Sequence, residues 1–124
     1  MPPSEARKIL GNEKIIGATC NTFQDIKKAI SEGANYVGVG PYRFTTTKKK
    51  LSPVLGLEGY KNIMNQMAAE KLSIPILAIG GIEEDDIAPL MQTGIHGIAL
   101  SGLIKNAANI EAKTKTIIEK LENV

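Results

Sequence analysis

Four short apolar runs, each leading through glycine or small polar residues into a helix-period segment, constrain the fold of this 124-residue chain most. The runs are Lys14-Ile15-Ile16-Gly17-Ala18, Tyr36-Val37-Gly38-Val39, Ile76-Leu77-Ala78-Ile79 and Gly97-Ile98-Ala99-Leu100. Their apolar residues follow one another instead of alternating with polar ones, the pattern of a parallel sheet covered by helices. Helices are expected between them. Thr22 with Asp25 three residues later forms a capping box, Phe23, Ile26, Ala29 and Ile30 supply the apolar stripe, and Gly33 is the stop. Further helices are predicted over residues 57–71, with Ile63, Met64, Met67 and Ala68 on one side, and over residues 85–92, closed by Gly94. A last one begins near Asn109, with Ile110, Thr114, Ile117, Ile118 and Leu121 at helical spacing. The order is α-βα-βα-βα-βα, an α/β fold in which function sits in the loops beyond the C-terminal ends of the strands. Those loops are expected to begin at Thr19, Gly40, Gly80 and Ser101.

Composition narrows the class. Apolar residues at 43% and charged residues at 23% are near the averages for globular chains, which argues against disorder and coiled coil. No uncharged apolar run approaches the roughly 18 residues of a membrane span. The start Met1-Pro2-Pro3-Ser4-Glu5 lacks the basic and apolar regions of a signal peptide, so a cytoplasmic location is expected. The single Cys20 excludes an internal disulfide framework and a multi-cysteine zinc site. A net charge of +2 gives no argument for nucleic acid.

Chemistry is sought in the loops. After the second strand, Thr45, Thr46 and Thr47 beside Lys48, Lys49 and Lys50 form an anion cradle or, equally, a solvated basic loop. Gly80-Gly81, between a strand and a helix, suits close approach of an anion to the backbone, although a tight turn needs glycine as much. Ser101-Gly102 ends the last strand similarly, and such a pair matches the phosphate site that (β/α)8 barrels build after their last two strands. Glu83-Glu84-Asp85-Asp86 is read as helix capping and dipole compensation, not as a metal site. His96 lies before the last strand and is read as structural or exposed, and Cys20 as a small buried hydrophobe.

These residues resemble a known family. Tyr36-Val37-Gly38-Val39-Gly40-Pro41, Thr45-Thr46-Thr47-Lys48-Lys49, Ala78-Ile79-Gly80-Gly81-Ile82 and Leu100-Ser101-Gly102 look like the second half of thiamine phosphate synthase (thiamine-phosphate pyrophosphorylase), a barrel shared with the thiazole tautomerase. The resemblance implies a (β/α)8 barrel that joins hydroxymethylpyrimidine diphosphate to thiazole phosphate and releases pyrophosphate with Mg²⁺. It implies that Thr19 stands at the pyrimidine diphosphate and that Lys48 holds its pyrophosphate and stabilises it as it leaves. It also implies that Thr45, Thr46 and Thr47 line the thiazole phosphate site, and that Gly81, Leu100 and Ser101 bind that phosphate largely through backbone N–H groups.

Three departures accompany the resemblance. Asn21 stands where members commonly carry a His, the acid/base of the tautomerase, and an Asn cannot titrate, which disfavours tautomerase activity. Phe44 replaces a usual Pro. The family's two Mg²⁺ aspartates, and the Arg and Asn that hold the pyrimidine diphosphate, belong to earlier strands, and residues 1–7 look like the segment just after the second aspartate. The expectation is therefore a single unit over residues 1–124, holding strands five to eight of a barrel that typically takes about 250 residues. Such a half barrel carries no Mg²⁺ ligands of its own, is inactive or nearly so alone, and self-associates through its open edges. The rival expectation is a non-catalytic binder of phosphate ligands or an unproductive fragment.

Overall fold

A computed structural model describes residues 1–43 and 54–123. The elements run α1 (Pro3–Leu10), β1 (Gly17–Cys20), α2 (Phe23–Ser31), β2 (Tyr36–Val39), α3 (Gly56–Ala69), β3 (Ile76–Ala78), α4 (Ile87–Met91), β4 (Gly97–Ile98), α5 (Gly102–Lys105) and α6 (Ile110–Glu122), with a 3-10 turn over Glu84–Asp86 before α4. The four strands form one sheet in the order β1-β2-β3-β4, and every pairing is parallel. The α/β expectation and the element order both hold.

Register decides which side chains are buried. Ala18 pairs with Val37 and Val37 with Ile76; one step along, Cys20 pairs with Val39, Val39 with Ala78, and Ala78 with Ile98. These rows face the helices, where Val37, Val39, Ile76 and Ala78 meet Ile26, Tyr60, Ile63 and Met67 in one apolar cluster. Successive residues of a strand point to opposite faces, so Thr19, Gly38, Leu77 and Gly97 form a row on the other side of the sheet. In that row Gly38 lies against the Ile79 side chain and Gly97 against Leu77, and Thr19 is exposed.

The first strand is a correction. It spans Gly17–Cys20 and not the stretch from Lys14 to Ala18: the Asn35 N–H still donates to the Ile16 carbonyl at 2.7 Å, but before that side chains hold the backbone. Arg7 of α1 donates to the carbonyls of Lys14 and Gly33 and to Asn35 Oδ1, and Asn35 Oδ1 also accepts the Ile16 N–H. Ile15 is consequently 78% exposed. Thr19 therefore lies within β1, and the loop after it begins at Asn21. The regular strands β3 and β4 are shorter than expected, although single backbone bonds carry the pairing on: Ile79 N–H to Val39, and Ala99 N–H to Ala78.

Local chemistry explains the helices. The Thr22 hydroxyl accepts the Asp25 N–H while the Asp25 carboxylate accepts the Thr22 N–H, the expected capping box of α2. Asn109 caps α6 by accepting the Ala112 N–H. The apolar stripe expected on α6 is only partly used. Ile117 is buried against its neighbours, but Ile110 and Ile118 are about half exposed; the main packing of α6 is on α4 and α5. His96 is structural, as read: its Nδ1 accepts the Ile76 N–H at 3.1 Å and its own N–H donates to the Ile76 carbonyl.

Two core groups generate predictions. The fully buried Tyr60 donates its hydroxyl to the Val39 carbonyl, which also accepts the Ile79 N–H. Tyr60→Phe is expected to destabilise by about 1 kcal/mol, since Val39 keeps a partner, whereas Ile26→Ala should cost about 2–5 kcal/mol; urea unfolding of both variants checks the ranking. Burial first, and the Asp25 carboxylate second, push the Cys20 thiol up to about 11. The folded state thus keeps this proton to a higher pH than the unfolded chain. Stability contributed by the neutral thiol is full below the unfolded value and is lost as pH rises toward about 11. Iodoacetamide at pH 8 should alkylate Cys20 only as fast as the chain opens, and rapid modification of the native chain would contradict this burial.

Candidate functional site

Three loops leave the C-terminal ends of adjacent strands and meet at one rim. Asn21 follows β1, Gly40 follows β2, and Gly80-Gly81 follows β3. The first two are joined by a side chain, as Asn21 Nδ2 donates to the Gly40 carbonyl at 2.6 Å. The second and third are joined by main chain, with the Tyr42 and Arg43 N–H groups both donating to the Gly80 carbonyl, at 3.0 and 3.1 Å.

Glycine is required here for space as well as conformation. Gly80 and Gly81 have φ of +89° and +70°, in the left-handed region that side chains disfavour. A Cβ on Gly80 would lie 2.8 Å from Pro41 Cα, and one on Gly81 would lie 2.7 Å from the Arg43 carbonyl oxygen. A Cβ on Gly40 would lie 2.3 Å from the Ile79 carbonyl oxygen. Main chain is thus pressed on main chain across the rim.

Among the described residues, Arg43 and Asp86 pair at this rim. Arg43 Nη1 donates to Asp86 Oδ2 at 2.6 Å and to the Gly81 carbonyl at 2.8 Å, and Nη2 donates to Asp86 Oδ1 at 3.2 Å. The guanidinium also lies 5.0 Å from the Tyr42 ring centroid. Desolvation pushes the Asp86 carboxyl up, but bonds from Arg43, the Glu83 N–H and the Tyr42 hydroxyl outweigh it, so the group sits below the usual carboxylate range. Glu84 faces away from the rim, between Lys113 at 2.8 Å and Lys120 at 3.0 Å, and those two ammonium groups hold its carboxyl below its ordinary value. The acidic run therefore caps and pairs, as expected, with one addition. Sequence reasoning missed the Arg43–Asp86 pair, since nothing local links residues 43 positions apart.

The residues implied as binding phosphate divide as follows. Gly81 lies in the turn after β3; Leu100 and Ser101 follow β4, the neighbour of β3 in the sheet. Leu100 is half-buried against the core and Ser101 is exposed, its side chain making no cap bond to α5. Thr19 is on the face of β1 turned away from the core that α2 and α3 cover. Thr45, Thr46, Thr47 and Lys48 lie outside the described residues. Among the described residues no group of three or more His, Cys, Asp or Glu side chains is placed to hold a metal ion, and no helix is long and apolar enough to cross a membrane.

Comparison with known proteins bears on this rim. A thiamine-phosphate synthase of Phocaeicola vulgatus is 58% identical over 118 residues, 95% of this chain and 57% of that protein. One of Flavobacterium johnsoniae is 54% identical over 98% of this chain and 57% of its own length. The chain thus spans just over half the length of these curated relatives. Among solved structures, a thiamine phosphate pyrophosphorylase from Pyrococcus furiosus superposes with a TM-score of 0.84 at 32% identity, covering 99% of this chain and 55% of that one. A structure described as native KDPGal shares the fold, with a TM-score of 0.73 at 17% identity over 97% of this chain and 54% of that one. The family model described as thiamine monophosphate synthase matches residues 1–104, and with these relatives it shows that the chain belongs to that family.

Proposed function

We propose that this chain is the C-terminal half, strands five to eight, of a (β/α)8 barrel that makes thiamine phosphate from hydroxymethylpyrimidine diphosphate and thiazole phosphate, releasing pyrophosphate. The observation that carries this reading is the identity of 54–58% to thiamine-phosphate synthases across nearly the whole chain. Its place is the cytoplasm, where its small phosphorylated substrates would be.

The chain's own residues would act chiefly on phosphate. Gly81, Leu100 and Ser101 would present backbone N–H groups to thiazole phosphate, with Thr45, Thr46 and Thr47 donating hydroxyls. Lys48 would hold the pyrophosphate and stabilise the charge that grows on it as the bond to the pyrimidine breaks. Thr19 would contact the pyrimidine diphosphate from the face of the sheet turned away from that core. Positioning and charge stabilisation supply most of the catalysis in such a reaction, because the pyrimidine cation must form as pyrophosphate departs.

The described acids do not fit the Mg²⁺ that the family resemblance implies. Asp86 is committed to Arg43, Glu84 to Lys113 and Lys120, and Asp25 to its own capping box. In our reading those ligands lie outside these 124 residues, and no step here is routed through the metal. The same reading makes that face and the β1 and β4 edges a surface for self-association, since open edges and uncovered apolar residues such as Leu77 favour closure. Asn21 is spent on the Gly40 carbonyl and cannot titrate, which supports synthase over tautomerase chemistry.

Three measurements check this. In a coupled assay with Mg²⁺ and both substrates the isolated chain should show no robust turnover, while calorimetry should detect thiazole phosphate binding; absence of binding would favour an unproductive fragment. Gly81→Ala should weaken that binding about tenfold or more, because its Cβ would meet the Arg43 carbonyl at 2.7 Å. Light scattering should report a dimer or larger species, and a stable monomer would refute closure by a second copy.

A further inference from the structure

Arg43 directly follows the Gly40-Pro41-Tyr42 turn, and an arginine beside a proposed phosphate site would ordinarily be assigned to the phosphate. Its geometry argues otherwise. The guanidinium is already engaged by both Asp86 oxygens at 2.6 and 3.2 Å, by the Gly81 carbonyl at 2.8 Å and, more loosely, by Glu83 at 3.5 Å. One face lies toward the Tyr42 ring. Asp86 Oδ2 in turn accepts the Glu83 N–H at 2.7 Å, so one carboxylate ties the guanidinium to the backbone just beyond the Gly80-Gly81 turn.

We infer that Arg43 is a positioning residue, whose fork onto Asp86 and Gly81 holds the Gly80-Gly81 turn against the Pro41–Arg43 backbone and thereby aims the N–H groups of that turn. The inference rests on the phosphate role proposed for Gly81, though its structural half stands without it. Three features separate the arrangement from an ordinary surface ion pair, which often contributes little. The fork is bidentate, and a planar guanidinium matches a carboxylate in a way that an ammonium does not. Asp86 is largely shielded, its side chain 13% exposed against 40% for Arg43. The third hydrogen bond goes to the carbonyl of Gly81 itself, the residue whose backbone must be aimed. Without the fork the turn would keep its left-handed glycines, its bonds from Tyr42 and Arg43 N–H to Gly80 and the buried Ile82 side chain, but among the described residues no other hydrogen bond holds the Gly81 carbonyl.

The test uses the ¹⁵N-labelled 124-residue chain and the variants Arg43→Met, Arg43→Lys and Asp86→Asn. Backbone order parameters at Gly80, Gly81 and Ile82 should fall from about 0.85 toward about 0.6 in all three variants, with those at Val37 and Ile76 unchanged. Thiazole phosphate affinity should drop about tenfold, and Arg43→Lys, which keeps the charge but loses the fork, should not restore it. Unchanged order parameters at the turn would overturn the inference, as would an equal loss at Val37 and Ile76, which would mean general loosening. Loss of order at the turn with undiminished affinity would overturn the aiming role. If Arg43→Met fails to fold, Arg43→Lys and Asp86→Asn decide the matter. A parent chain that binds no thiazole phosphate would fail the proposed function instead, and the order parameters would still judge the fork.

Discussion

The register of the parallel ladder is the constraint on which the rest of the structure depends. Strand side chains alternate between faces, so a slip of one residue would carry Val37, Val39, Ile76 and Ala78 off the helices and put Gly38 and Leu77 there instead. The core would lose the branched side chains that the sheet supplies, Val37, Val39 and Ile76, and Tyr60 could no longer reach the Val39 carbonyl. The register also leaves Thr19, Gly38, Leu77 and Gly97 as the row on the far face, where the side chains of Ile79 and Leu77 lie against the two glycines. In the function proposed above, the apolar side chains on this face, Tyr36, Leu77 and Ile79, give a second layer something to bury.

What was legible in the sequence follows from the range of each interaction. The capping box of α2 spans four residues and could be read directly, as could the helix-stopping glycines and the burial of Cys20. The start of β1 could not. It depends on Arg7 and Asn35, which hold the Lys14 carbonyl and the Ile16 N–H from elsewhere in the chain, so the apolar pair Ile15-Ile16 looks like strand and is not. Tyr60 was invisible for a similar reason, because its role rests on a carbonyl 21 residues away. Helical spacing groups Ile110, Ile117 and Ile118 of α6 but does not report whether a neighbour covers them, and only Ile117 of the three is buried.

At the candidate site the glycines were found for one reason and are required for two. Sequence reasoning took Gly80-Gly81 as a place where an anion meets backbone N–H groups or as a tight turn. The structure adds that Pro41 and Arg43 fill the space a Cβ would need. A turn pressed between two loops has few conformations left, and pre-organised N–H donors are what phosphate binding needs, since little freedom is then lost when the ligand arrives.

Charge completes the argument. Arg43 is spoken for by Asp86, and Lys113 and Lys120 by Glu84 on the outer side of the sheet, so these cations bring little net field to the rim. In the function proposed above, attraction for phosphate must then come from backbone N–H groups at Gly81 and Ser101 and from the run Lys48-Lys49-Lys50. This division has a physical advantage. A guanidinium that both bound phosphate and held the turn would release the turn whenever ligand competed for it. In the proposed reading, committing Arg43 to a shielded carboxylate separates holding the site from filling it, and would leave the ammonium groups, with their freer geometry, to follow a pyrophosphate as it departs.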